Sequence, residues 1–117
     1  MADMGHLPEL TEEARADALA KAAKARHDRA ELLHGIKDGR IDPAGVLMRQ
    51  DGSQVVERTR ALAFVKAWPG YGDARARKLM AQLGIAESRR IGGLGRRQRQ
   101  GLLDAIAEAK AKKSGER

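Results

Sequence analysis

From Trp68 to Lys78 the chain reads Trp-Pro-Gly-Tyr-Gly-Asp-Ala-Arg-Ala-Arg-Lys, a glycine turn feeding a basic helix. Gly70 and Gly72 carry no side chain to hold a ligand at a distance, and both tolerate positive φ. A helix that opens at Asp73 starts with N–H groups lacking intrahelical acceptors and with the positive end of its dipole. With Arg75, Arg77 and Lys78 beside it, this is an anion seat, and the anion it suits is a backbone phosphate.

A second turn has the same grammar. Gly92-Gly93-Leu94-Gly95 leads into Arg96 and Arg97, with Arg89 and Arg90 just upstream. Two seats this close in sequence can grip two phosphates of one duplex. Leu94 is expected to plug the core rather than touch a base. Either turn alone would also suit helix capping and packing; the pair argues for a ligand.

Other chemistries find little support. His27 and His34 lie seven apart, two turns along one helix and too far to chelate one ion, and His6 stands alone. With no cysteine and no paired acids, no tetrahedral metal set is completed. Neither G-x-G precedes Gly-Lys-Ser/Thr, and no Ser/His/Asp arrangement suggests itself. Catalysis, cofactors and a small-molecule substrate are therefore not expected. Phe64, Trp68 and Tyr71 are the only aromatic residues, and a core Trp68 leaves few stacking platforms for single strands.

Charge supports the phosphate reading. Residues 1–50 hold 8 Lys/Arg and 9 Asp/Glu, whereas residues 51–117 hold 15 and 7, so the second part carries +8 of a net +7. A field concentrated on one part of a chain points to a polyanionic partner. No apolar run approaches the roughly 20 residues that span a bilayer, and the first residues lack a basic-then-apolar leader pattern. A cytoplasmic protein is the expectation.

The elements that must position these turns read as helices. Residues 1–10 are expected to fray. Thr11 can cap a helix with Glu12 and Glu13 in its first turn, running to about Asp38 and stopping at Gly39. Leu19 is its one apolar side chain larger than alanine before Leu32, Leu33 and Ile36, so its first turns should project from the core. Asp42-Pro43 is a helix start, and Asp51-Gly52 then turns the chain. The spacing predicts a helix from about Thr59 to Trp68, stopped by Pro69. Another runs from Asp73 to Leu83, with Ala76, Leu79, Met80 and Leu83 on one face and Gly84-Ile85 as its cap. A final helix buries Leu102, Leu103 and Ile106 before a lysine-rich tail. The reading is all-α.

Leu7-Pro8-Glu9-Leu10-Thr11, the alanine-rich basic helix, Trp68-Pro69-Gly70-Tyr71-Gly72, and Gly84-Ile85-Ala86-Glu87-Ser88-Arg89-Arg90 followed by Gly93-Leu94-Gly95 resemble the actinobacterial integration host factor family. The likeness covers nearly the whole chain. It implies a compact helix–two-turn–helix core over residues 41–117 and a long, partly projecting helix within residues 1–40. It also implies a monomeric nucleoid-associated protein that binds duplex DNA with little sequence preference and influences its shape. By that resemblance the two-turn motif falls on Trp68, Pro69, Gly70, Tyr71, Gly72, Asp73, Ala74 and Arg75, with Lys78 following. A second DNA-contacting loop spans Ala86 to Gln98, including Arg89, Arg90, Gly93, Leu94, Gly95, Arg96, Arg97 and Gln98. Lys21, Lys24, Arg58 and Arg60 are secondary candidates. Asp73 stands where the family places lysine and Gly92 where a basic residue is usual; Asp73 would repel phosphate, with Arg75, Arg77, Arg96, Arg97 and Arg99 available to compensate. Two other functions stay open from the sequence: a structured-RNA or ribosome-associated binder, and a protein-interaction adaptor using the first helix.

Overall fold

The computed structural model describes residues 11–48 and 54–115, with side chains through residue 111. The expected frayed segment, the Asp51-Gly52 turn and the end of the basic tail lie outside the described residues.

Helix α1, Glu12–Lys37, starts as its residues dictate: the Thr11 hydroxyl accepts from the Ala14 N–H at 2.9 Å, with Glu12 and Glu13 at the positive dipole end. It closes at Gly39, whose φ of 84° lets the Arg40 N–H reach back to the Gly35 carbonyl at 2.9 Å. Through Glu31 its side chains are exposed, save half-buried Ala14, Asp28 and Arg29; Leu19 is 70% exposed. Leu32 and Leu33 are partly buried and Ile36 fully. Only the last turns enter the core, α1 also lies along α3, and the molecule extends over 70 × 27 × 27 Å.

Helix α2, Pro43–Met48, is capped by Asp42, whose Oδ1 accepts from the Ala44 N–H at 3.1 Å, and it packs Val46 and Leu47 toward the last helix. The helix expected from about Thr59 to Trp68 is α4 (Ala61–Lys66), shorter at both ends, and a short helix that was not foreseen, α3 (Gln54–Arg58), precedes it, the two parted by Thr59 and Arg60. The break has a non-local cause. The Ile91 N–H donates to the Thr59 carbonyl and the Ala61 N–H to the Arg89 carbonyl, both at 2.9 Å, so Arg60 and Arg90 form an isolated antiparallel bridge. Thr59 is fully buried, and its hydroxyl is satisfied by the Val55 carbonyl at 2.6 Å.

Trp68 follows α4 and is 3% exposed. It meets Phe64 and Tyr71 edge-on, at ring-centroid distances of 5.7 and 5.0 Å, an arrangement that the ring quadrupoles favour. Helix α5, Asp73–Gln82, ends in a Schellman closure: Gly84 has φ 68°, its N–H reaches the Ala81 carbonyl, and the Ile85 N–H reaches the Met80 carbonyl at 2.8 Å. A 3₁₀ turn at Ile91–Gly93 packs on α3 and leads to α6, Arg96–Gly115. Ile36, Leu47, Phe64, Met80, Ile91 and Leu102 form the innermost core. Among the described residues there is no strand, and no helix is long and apolar enough to cross a membrane.

Candidate nucleic-acid interface

The first turn presents an uncapped helix end. Gly72 is the N-cap of α5 and offers no side-chain bond, so the N–H groups of Asp73, Ala74 and Arg75 face outward. Gly70 has φ 83°, the left-handed conformation the turn needs, with the Tyr71 N–H bonded to the Trp68 carbonyl at 3.0 Å. Gly72 departs from the expected positive φ: at −111° it is extended, and a Cβ there would meet nothing within 4 Å. Its backbone conformation is available to other residues, so what its missing side chain leaves here is open space before the first turn of α5.

Arg75 is held in place, its guanidinium 4.2 Å over the Tyr71 ring and 3.4 Å from the Gly70 carbonyl. Lys78 and Pro69 are exposed on the same turn and helix. Asp73 is the first helical residue rather than the cap. Its carboxylate takes Arg77 Nε at 2.8 Å and Lys66 Nζ at 3.3 Å, and the Arg77 hydrogen bond leads in holding its pKa below the usual carboxylate range. The repulsive charge foreseen at this seat is thus largely neutralised within the fold. Arg77, which also pairs with Glu87 and is pushed further toward its charged form, is taken up by this network and does not compensate for Asp73 as a free cation.

The second turn is built around Gln98. Its Oε1 accepts from the Gly95 N–H at 2.9 Å and its Nε2 donates to the Gly84 carbonyl at 3.0 Å. The first contact is half of a capping box, and the second ties the start of α6 to the end of α5. The Gly95 N–H is therefore occupied, and the outward donors here are the N–H groups of Arg96, Arg97 and Gln98. The Arg96 and Arg97 side chains are exposed, with no acidic partner among the described residues. Arg89 donates to the Gly93 carbonyl at 3.2 Å, bracing the loop. Neither Arg89 nor Arg90 pairs with Asp104, which takes Gln100 instead. Leu94 is buried, so it holds the loop down.

Three features lay beyond sequence reasoning. Gly92 packs α3 against the 3₁₀ turn, since a Cβ there would stand 3.0 Å from Glu57 Cβ and 3.1 Å from its carbonyl oxygen. Arg99, expected as a free cation, is half-buried and clasps the Leu47 carbonyl at 2.8 Å and the Ile91 carbonyl at 3.1 Å. Arg29 joins the interface region from α1, lining one cleft with Arg58, Arg60 and Arg90. Of the secondary candidates, Lys24 pairs with Asp28 at 2.8 Å, while Lys21, Arg58 and Arg60 are exposed.

Residues 36–106 match the family model described as an S13-like H2TH domain. The chain is 42% identical over 103 residues to the Integration host factor of Mycobacterium tuberculosis, covering 88% of this chain and 98% of that one. It is 43% identical, with the same coverage, to the Integration host factor of Mycolicibacterium smegmatis. With that of Streptomyces coelicolor it shares 41% over 92 residues, 79% of this chain and 86% of the relative. Among solved structures it is similar to one described as "Structure of sIHF bound to an 8bp palindromic DNA", with a TM-score of 0.70, 34% identity, and coverage of 74% of this chain and 98% of that one.

Proposed function

The chain belongs to the integration host factor family and carries its S13-like H2TH domain, and from that premise we propose that it is a nucleoid-associated protein that binds duplex DNA. The observation that carries the mechanism is the pair of glycine-led helix starts, at Gly72 and Gly95, each flanked by arginines. Backbone N–H groups and the dipole end give each seat a preference for an oxyanion. Arg75 and Lys78 flank the first seat and Arg89, Arg96 and Arg97 the second, so that forked guanidinium donors add charge-assisted bonds to phosphate. Such contacts hold the backbone and carry no base information, so binding is largely indifferent to sequence. The chain acts as a monomer in the cytoplasm, on the nucleoid, and shapes the DNA that it holds.

A mobility-shift series on unrelated duplexes across salt concentrations tests this. Log K against log salt should fall with a slope of about −0.9 for each phosphate neutralised, with less than about 100-fold spread among sequences. A flat salt dependence would overturn the phosphate mechanism. A duplex RNA that competes as well as DNA of equal length would move the function to structured RNA.

A further inference from the structure

The Arg60–Arg90 bridge has a consequence for the neighbouring arginines. Arg90 is extended, with φ −101° and ψ 159°, and successive side chains on extended backbone point to opposite sides. Arg89 accordingly turns to the Gly93 carbonyl at the second loop, while Arg90 lines a separate cleft at the foot of α1. That cleft gathers Arg29 from α1, Arg58 from the end of α3, Arg60 from the linker and Arg90, over Leu33, Thr59 and Ala63.

No carboxylate lines this cleft, and among the described residues none of its four arginines has an acidic partner. Elsewhere acids are paired freely, with Lys24, Arg40, Lys66, Arg77 and Lys110. The one hydroxyl beneath, that of Thr59, is committed to the Val55 carbonyl. The cleft therefore offers cationic donors alone, their aliphatic stems supported by Leu33 and Ala63. Four gathered guanidinium groups repel one another unless an anion lies between them. An adjoining groove continues along α1 past Arg58 and Arg29 to Lys24 and Lys21, with Asp28 the one acid in it. A track of that form suits an extended polyanion better than a compact one.

We infer that the cleft of Arg29, Arg58, Arg60 and Arg90 is a third phosphate site, which takes duplex DNA backbone and leads it onto the projecting helix α1. The inference rests on the duplex-binding function proposed above and adds to the two turns a third grip, which shares only Arg90 with the second loop.

The test is the salt dependence of binding to a 30-base-pair random duplex, measured for the full chain and for Arg29→Gln with Arg58→Gln. The pair should weaken binding roughly tenfold or more and make the slope shallower by about 1.8, two contacts at about 0.9 each. Arg29→Lys with Arg58→Lys should restore the slope. Should the first pair melt early, Arg58→Gln with Arg60→Gln, both exposed, gives the same readout. Unchanged affinity and slope in a folded variant, against clear binding by the parent, would remove the third site and leave the turns standing. Binding of tripolyphosphate that the glutamine pair abolishes, with duplex affinity untouched, would also overturn the assignment by making the ligand a free oligophosphate. No duplex binding by the parent would fail the proposed function itself.

Discussion

Gly70 and Gly72 lie two apart in one turn, yet they are glycine for different reasons. Gly70 holds φ 83° with open space around its missing Cβ, so Gly70→Ala should cost about 1–2 kcal/mol of stability through backbone strain alone. Gly72 is extended, and a side chain there meets nothing in the fold. Gly72→Val should therefore leave the melting temperature near its original value while weakening DNA binding, because the branched side chain stands in front of the Asp73, Ala74 and Arg75 donors. Calorimetry and a binding titration on both variants separate the two roles; equal affinity for folded Gly72→Val would remove that residue from the interface. Trp68 is the opposite kind of residue. Buried and edge-on to two rings, it should cost roughly 3–5 kcal/mol when cut to alanine. Its Nε1 has no hydrogen-bond partner among the described residues, so Trp68→Phe should cost far less, measured by denaturant unfolding.

The Arg89–Ile91 segment is where helix packing meets the proposed phosphate sites. Its backbone splits α3 from α4, and its two arginines serve different places, the second loop and the α1 cleft. Arg89→Ala with Arg90→Ala should consequently lose more affinity than Arg75→Ala with Lys78→Ala, compared at one salt concentration; the reverse order would move the main grip to the start of α5. Asp73→Lys should tighten binding and steepen the salt slope, since it releases Lys66 and leaves Arg77 with Glu87 alone while reversing a charge at the seat. Helix α1 was legible from Thr11 to Gly39 because its cap, acidic first turn and closing glycine are all local. The break at Thr59 and Arg60 was not, because it depends on hydrogen bonds to Arg89 and Ile91, far along the chain. The positions of both turns were likewise readable from glycine and arginine alone. The occupation of Arg77 and Arg99, the clamp made by Gln98 and the arrival of Arg29 all depend on tertiary contacts.

At the scale of the whole molecule, basic residues concentrate in the second part of the chain, while the first part contributes a long, mostly exposed helix. The helix buries little until Leu32, so its own stability owes much to alanine content and caps. Removing residues 1–24 should leave the melting temperature of the core within a few degrees of the parent, as followed by the near-ultraviolet signal of Trp68. A large loss would show that the outer turns support the fold. The same truncation removes Lys21 and Lys24, and its effect on the salt slope reports how far the DNA follows α1.

Gln98 bonds the end of α5 to the start of α6, and that fixes a length. The start of α6 is thereby tied to the far end of α5, a ten-residue helix about 15 Å long at 1.5 Å per residue. Under the proposed function the two seats would then act as a gauge: a duplex whose phosphates present the matching gap would fit at once, and any other would have to widen or narrow its groove to be held. Preference would appear as a dependence on groove width, graded by the stiffness of each sequence, where no base is touched. Gln98→Ala should let the gauge slip, flattening that preference while the helices remain.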